Sequence, residues 1–318
     1  MADNEGFPVV VVAGPTCSGK SALALELAAA FGGTVINADS MQVYRELRIV
    51  TARPSAADEA RVPHRLYGVI PAAGACSAAR WRDLALAAIA ETRGGGRLPI
   101  LCGGTGLYLK ALMEGLSPLP DVPAGVRNAV RERYAGAETE AIHAALAGVD
   151  PSAAARLRAT DRQRLLRALE VVEATGISIL EWQRHPPAGP PPGLAFTTIL
   201  LLPPRAAVYD ACDARFRRMA AEGALDEVRA LRDLRLDPAL PAMKALGVAE
   251  LIAFLDGRSD LEDAIAAAQQ ATRNYVKRQY TWFSRQIIAD ISGIETYSES
   301  LRNEIFSFIC KKELTRLP

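Results

Sequence analysis

Residues Val9-Val10-Val11-Val12-Ala13-Gly14-Pro15-Thr16-Cys17-Ser18-Gly19-Lys20-Ser21 constrain the fold more than any other stretch of the chain. Four β-branched residues in a row read as a strand buried within a parallel sheet. G-x-x-x-x-G-K-S follows, and then an apolar helical pattern at Leu23, Leu27 and Phe31. Strand, glycine loop and helix in that order make a phosphate-binding loop. Gly14 and Gly19 permit backbone geometry closed to other residues, so successive N–H groups can converge on an anion. The helix N-terminus adds partial positive charge. Lys20 can reach a terminal phosphate, and the Ser21 hydroxyl can ligate Mg²⁺. Gly14, Pro15, Thr16, Cys17, Ser18, Gly19, Lys20 and Ser21 are thus a candidate site for a di- or triphosphate.

Thr34 to Ala38 is a second strand, with Asp39 and Ser40 at its C-terminal end. Ligands of open parallel sheets bind at that edge, so Asp39 is expected to face the crevice that holds Lys20. An Asp in this place can equally cap a following helix. Arg45, Arg48, Arg53, Arg61 and Arg65 run through loop-like sequence, in which Thr51-Ala52-Arg53-Pro54 and Pro63-His64-Arg65 carry prolines. His64 is given no catalytic role. A helix from Ala78 to Arg93 stops at Gly94-Gly95-Gly96. Leu98 to Cys102 is a further buried strand, leading into Gly103-Gly104-Thr105-Gly106 and a helix from Leu107 to about Met113. Thr105 shares the sheet edge with the phosphate loop, either as an N-cap or as a second contact to the phosphates. ATPases of the phosphate-loop class end a strand with an Asp for Mg²⁺. Here the strand ends in Cys102-Gly103-Gly104-Thr105, which leaves Asp39 as the nearby carboxylate.

From Ser117 the texture changes. Prolines 118, 120 and 123 mark a linker, residues 124–182 are rich in Ala, Arg, Glu and Leu, and a proline-rich connector covers 185–193. Phe196 to Leu202 then resumes the sheet. Two helices broken near Gly223, a short one at 248–256 and a long one from Leu261 to Gln286 follow. On the long helix Leu261, Ile265, Ala268, Thr272, Val276, Gln279 and Phe283 share a face, with Gln279 its weakest member. The expected class is α/β, a parallel phosphate-loop NTPase-like core flanked by helices with a small all-helical insertion. Its parts are 1–117 (core), 118–194 (insertion), 195–290 (core, with the long helix) and 291–318 (tail, fraying at Lys311 to Arg316).

Net charge is only +1, so nucleic acid would need a local patch. Two exist. Arg156, Arg158, Arg162, Arg164 and Arg167 cluster in the insertion, with Asp161 the one carboxylate among them. Arg273, Lys277, Arg278 and Arg285 lie on the long helix, interleaved with Tyr275, Tyr280 and Trp282. Cations with stacking surfaces suit RNA. Solvated helix faces, or the phosphate clamps of a nucleotide kinase, use the same residues. The five cysteines (17, 76, 102, 212 and 310) form no metal-binding pattern and read as reduced thiols. The acidic opening does not read as a signal peptide, and no apolar run approaches a membrane span, so a cytoplasmic protein is expected.

Taken as an ordered set, several segments resemble the bacterial tRNA dimethylallyltransferases (the tRNA isopentenyltransferase family) over residues 8–290. They are G-P-T-C-S-G-K-S (14–21), N-A-D-S-M-Q-V-Y (37–44), T-A-R-P (51–54), P-H-R-L (63–66), G-G-T-G-L-Y (103–108), D-R-Q-R-L-L-R-A-L-E (161–170) and A-T-R-N-Y-V-K-R-Q-Y-T-W-F (271–283). The resemblance implies transfer of a dimethylallyl group from its diphosphate to N6 of the adenosine 3′ to the tRNA anticodon (position 37), with Mg²⁺ as cofactor. By resemblance and by its place at the sheet edge, Asp39 is the base that takes the N6 proton. Lys20, Thr105, the loop N–H groups and Mg²⁺ on Ser21 meet the leaving pyrophosphate. The adenine is expected to be flipped into the site. The implied tRNA contacts are Asp39, Ser40, Met41, Gln42, Thr105, Arg127, Gln163, Arg164, Arg167, Lys244, Arg273, Lys277 and Arg278. Val50 stands where the family often has Gly, and the segment after Gly247 lacks the family's Tyr and basic residue. A monomer is expected. The rival readings are prenylation of free adenine nucleotides, a phosphate-loop kinase acting on a nucleotide or other small molecule, and a non-catalytic RNA-binding protein.

Overall fold

The computed structural model describes residues 6–293 and 297–313. It divides into two compact units, one of residues 1–113 with 191–318 and one of Glu114–Pro190.

The first unit is built on β1 (Phe7–Ala13), whose valines are fully buried. β1 leads through the glycine loop into α1 (Lys20–Ala30) and β2 (Gly33–Asn37). Then come α2 (Ala56–Arg61), the two-residue β3 (His64–Arg65), α3 (Ala78–Gly94), β4 (Leu98–Gly103) and α4 (Gly106–Met113). β1 lies between β4 and a later strand, β5, in a six-stranded sheet of order β3-β2-β4-β1-β5-β6 whose pairings are all parallel. Ala13 stands opposite Gly103, and Asn37 opposite Cys102. The chain therefore leaves β1, β2 and β4 at one level, which brings the phosphate loop, Asp39 and Thr105 to a single edge.

The second unit is all-helical: α5 (Ala124–Arg133), α6 (Thr139–Val149), α7 (Pro151–Arg156), α8 (Arg162–Thr175) and α9 (Ile179–Trp182). It has its own core of Val130, Ile142, Leu146, Leu165 and Leu169.

The first unit resumes with β5 (Leu194–Leu201) and α10 (Arg205–Met219). Gly223, at φ 108°, breaks the helical path, and α11 (Leu225–Asp233) starts beyond it. α12 (Val248–Leu255) and α13 (Leu261–Gln286) follow. Asp260 caps α13 by accepting from the Asp263 N–H at 2.7 Å. The predicted stripe is its buried face, Leu261 alone being half-exposed.

β6 (Ile291–Gly293) and α14 (Glu299–Glu313) complete the fold. The sequence suggested a tail fraying from Lys311. The helix continues to Glu313 instead, and residues 314–316 lie outside the described residues. Its order has a cause: Leu301, Ile305 and Ile309 recur every four residues and are buried beside α1 against β1 and β5. Val10 and Val12 face that layer, while Val9, Val11 and Ala13 face the layer of α3, α4 and α10–α13. Among the described residues no helix is long and apolar enough to cross a membrane.

Candidate active site

The phosphate loop is set by two left-handed residues. Gly19 at φ 88° forms the N-terminal boundary of α1, and Cys17 adopts φ 60°. A side chain at Gly19 would meet Tyr297, and one at Gly14 would lie 2.6 Å from the Leu201 carbonyl oxygen. Lys20 Nζ donates to the Pro15 carbonyl at 3.0 Å, curling back over the loop. The Ser18 hydroxyl is buried and has no hydrogen-bond partner among the described residues. Ser21 lies against the buried Cys102 thiol at the end of β4, which burial pushes up to about 11.

Asp39 follows β2 in a tight turn. Its N–H donates to Asn37 Oδ1 at 2.8 Å, and its own Oδ1 accepts from the Met41 N–H at 2.9 Å. Asn37 in turn donates to the carbonyls of Asp39 and Leu66, and the Trp81 indole donates to the Asn37 carbonyl. Asp39 thus makes a local Asx-type turn rather than capping a helix. Burial first, and the Asp39 carboxylate next among the charges, pushes the nearby Tyr275 hydroxyl upward. The same carboxylate contributes at Tyr67 and Tyr108, where burial is again the leading cause. The base candidate therefore sits among neutral phenols.

Thr105 does not use its hydroxyl as a helix cap. Thr105 Oγ1 accepts from the Ser40 N–H at 2.9 Å and donates to Ser40 Oγ at 3.2 Å, tying the ends of β2 and β4 together. Gly103 makes this possible, since a Cβ there would lie 2.1 Å from the Ala38 carbonyl.

Two further residues, to which the sequence analysis assigned no role, complete this corner. Gln279 of α13 is buried, and its Oε1 accepts from the Thr16 N–H at 3.0 Å while its Nε2 donates to the Gly104 carbonyl at 2.9 Å. A polar residue in an otherwise apolar stripe was its only signal. Arg215 of α10 donates to Thr16 Oγ1 at 2.5 Å. Together with Lys20 it flanks Cys17, whose thiol is lowered to about 6, first by a hydrogen bond from Cys212 and then by these two cations.

The remaining residues singled out from sequence are distributed as follows. Ser40, Met41 and Gln42 continue the turn after Asp39, and Gln42 Nε2 is held by the Thr51 and Ala52 carbonyls. Lys244 is exposed at the end of a short 3₁₀ turn. Lys277 and Arg278 are exposed on α13, whereas Arg273 is engaged by Asp213 and Gln270. Tyr280 is buried and donates to the Pro203 carbonyl, and Trp282 packs on Gly106, so neither ring is a free stacking surface. Within the helical unit Gln163 and Arg164 are exposed, and Arg164 is paired with Asp161 at 3.4 Å. Arg167 is paired with the buried Glu170 at 3.4 Å, and Arg127 donates to the Val122 carbonyl. Arg162 donates to the carbonyls of Tyr134, Ala135 and Ala137, which makes it a structural member of the arginine cluster.

Among the described residues no group of three His, Cys, Asp or Glu side chains could hold a metal ion. Mg²⁺ commonly uses one or two protein oxygens beside substrate phosphates and water. The Ser21 hydroxyl at the head of α1 fits that mode; a self-contained protein cage does not.

The family model for IPP transferase matches residues 42–286. The chain is 59% identical over 282 residues to the tRNA dimethylallyltransferase of Rhodospirillum centenum, covering 89% of this chain and 90% of the relative. It is 53% identical to that of Paramagnetospirillum magneticum, over 97% and 98% of the two chains. Among solved structures, the full-length tRNA isopentenylpyrophosphate transferase of Bacillus halodurans superposes with a TM-score of 0.67 at 31% identity, covering 98% of each chain. A eukaryotic dimethylallyltransferase acting on tRNA superposes with a TM-score of 0.79 at 25% identity, over 98% of this chain and 80% of that one.

Proposed function

This chain belongs to the IPP transferase family, and from that premise we propose that it is a cytoplasmic, monomeric tRNA dimethylallyltransferase. It moves the dimethylallyl group of dimethylallyl diphosphate to N6 of the adenosine 3′ to the anticodon, releasing pyrophosphate. The observation that carries the reading is the single sheet edge shared by the phosphate loop, Asp39 and Thr105.

The amino nitrogen N6 is a weak nucleophile because its lone pair is delocalised into the ring. As the bond from N6 to the donor's C1 forms and the C1–O bond breaks, one N6 proton must leave. Asp39, with Oδ1 engaged by the Met41 N–H, offers its other carboxylate oxygen as general base. The departing pyrophosphate gains negative charge, and fixed donors there lower the barrier most. The loop N–H groups and the α1 N-terminus supply them, joined by Lys20 and by Arg215, already held at Thr16. Thr16 itself contributes no N–H, since Gln279 occupies it. Mg²⁺, held through Ser21, would neutralise phosphate charge when bound. The Ser40–Thr105 pair keeps the base turn and the β4 edge in register, so that donor carbon and acceptor nitrogen meet in a near-attack geometry. The adenine must leave the anticodon stack to reach this edge. The exposed Gln163, Arg164, Lys244, Lys277 and Arg278, with Arg127, Arg167 and Arg273 and with Gln42 just after the base turn, are the proposed RNA contacts.

The test is a product analysis. Purified protein is incubated with dimethylallyl diphosphate, Mg²⁺ and either unmodified tRNA, AMP or ATP, and nucleosides are examined by mass spectrometry. A five-carbon adduct on adenosine in the tRNA reaction alone is expected. An adduct on AMP or ATP would assign a free-nucleotide prenyltransferase, and ATP consumption without an adduct would assign a kinase.

A further inference from the structure

The segment Thr51-Ala52-Arg53-Pro54 is given no task by the transfer mechanism, yet the turn that carries it is held in an unusual way. Three successive amides converge on one carboxylate: the Arg48 and Ile49 N–H groups donate to Glu227 Oε2 at 2.7 Å each, and the Val50 N–H to Oε1 at 2.9 Å. Consecutive N–H groups around an anion form a nest, and charge assistance makes such bonds short and strong. Glu227 lies in the first turn of α11. The break at Gly223 aims that turn at residues 48–50, and Ile49 packs where a Gly223 side chain would begin.

What the nest holds becomes clear two residues on. The Thr51 and Ala52 carbonyls both accept from Gln42 Nε2, at 2.8 and 3.0 Å. Ala52 sits at φ 54°, a left-handed conformation that a non-glycine residue keeps only when its surroundings enforce it. With both Nε2 hydrogens taken, the orientation of the Gln42 amide is determined. Rotating it would set Oε1 against two carbonyl oxygens. Oε1 meets no donor among the described residues. Gln42 also lines a cavity of about 280 Å³ with Ser21, Tyr67 and Cys102, beside the phosphate loop.

We infer that Glu227 is a positioning residue for the RNA-binding half of the site: through the 48–52 turn it fixes the Gln42 amide so that Oε1 is presented to an N–H donor of the substrate RNA. This rests on the proposed reading of Gln42 as an RNA contact. The group selected by a fixed carbonyl-type acceptor is an amino N–H, as on adenine, rather than a ring carbonyl, whose oxygen it would repel.

Steady-state kinetics on the full chain test this, with wild type first shown to prenylate tRNA. Absence of that activity would remove the functional reading itself, and the inference with it. Glu227→Ala and Gln42→Ala are each expected to raise KM for tRNA roughly tenfold, about the worth of one hydrogen bond. KM for dimethylallyl diphosphate should stay within about twofold of wild type, because the phosphate loop is untouched. Glu227→Gln retains one acceptor oxygen but sets its NH2 against an N–H, and should recover only part of the affinity lost in Glu227→Ala. The double variant Glu227→Ala/Gln42→Ala should be no worse than the more affected single variant, since both break one relay. Losses that multiply in the double variant would overturn the inference, as would an equal rise in both KM values. If Glu227→Ala fails to fold, the same cycle run with Glu227→Asp, which withdraws the carboxylate from the three amides by one methylene, decides between relay and independence.

Discussion

Two polar regions of this protein are built on opposite plans. At the phosphate-loop corner, loops are fixed by side chains far away in sequence: Thr16 by Gln279 and Arg215, Ser40 by Thr105, and the 48–50 turn by Glu227. In the helical unit the cations are exposed or half-exposed, some paired at the surface, as Arg164 is with Asp161, while Arg131 and Arg167 share the buried Glu170. The first plan suits chemistry, because donors already in place do not have to reorganise when charge develops. The second suits a polyanion. Exposed ion pairs are worth little, so a cation can exchange its carboxylate for a phosphate at small cost. Rigid groups are expected to govern turnover, and loosely paired ones to govern RNA affinity.

The sharpest way to break that contrast is to remove a charge from the rigid corner. Lys20→Ala should lower kcat roughly 10²–10³-fold, the range for a lost transition-state donor, with tRNA affinity within about twofold of wild type in a filter-binding assay. A matching fall in tRNA affinity would erase the distinction between the two regions.

Arg162 and Arg164 divide the contrast within one cluster. Arg162 serves three backbone carbonyls, so Arg162→Ala should cost roughly 1–3 kcal/mol in chemical denaturation. The salt dependence of tRNA binding should not change. Arg164→Ala should do the reverse, leaving stability within about 0.5 kcal/mol and reducing the salt slope by about one. If both variants altered the slope alone, the cluster would be uniformly RNA-facing.

Much of the rigid corner was legible in the sequence because its parts are local. The strand, loop and helix at 9–31 announce themselves by a change of period, and α13 by a regular apolar stripe. The missing pieces are those whose partners lie far off. Arg215 is 199 residues from Thr16, and Gln279 is 263 residues from it, so one looks like a surface arginine and the other like a flaw in a stripe. The 41–55 segment follows no period because side chains such as Gln42, Arg53 and Glu227 shape it. β6 has only three residues, too few to show alternation. The arginines of the helical unit were visible as a cluster, but composition could not separate Arg162 from Arg164.

A smaller effect sharpens the electrostatics of the corner. The Cys17 thiol is lowered to about 6, chiefly by the Cys212 thiol and then by Arg215 and Lys20. A lowered value means that the thiolate forms at lower pH, so the rate of Cys17 alkylation by iodoacetamide should level off above about pH 7. Pyrophosphate should slow it by covering the loop. A rate still climbing through pH 9, the range of an ordinary thiol, would show that neither the Cys212 thiol nor the two cations lower it.

The central claim is that the carboxylate of Asp39 takes the N6 proton while the phosphate loop holds the leaving group. Single-turnover transfer by Asp39→Ala, with tRNA affinity measured on the same preparation, addresses it most directly. The account predicts a rate roughly 10²–10⁴-fold below wild type with tRNA binding nearly intact. A loss under about tenfold would show that another group is the base, and an equal loss of tRNA affinity would make Asp39 a binding residue instead.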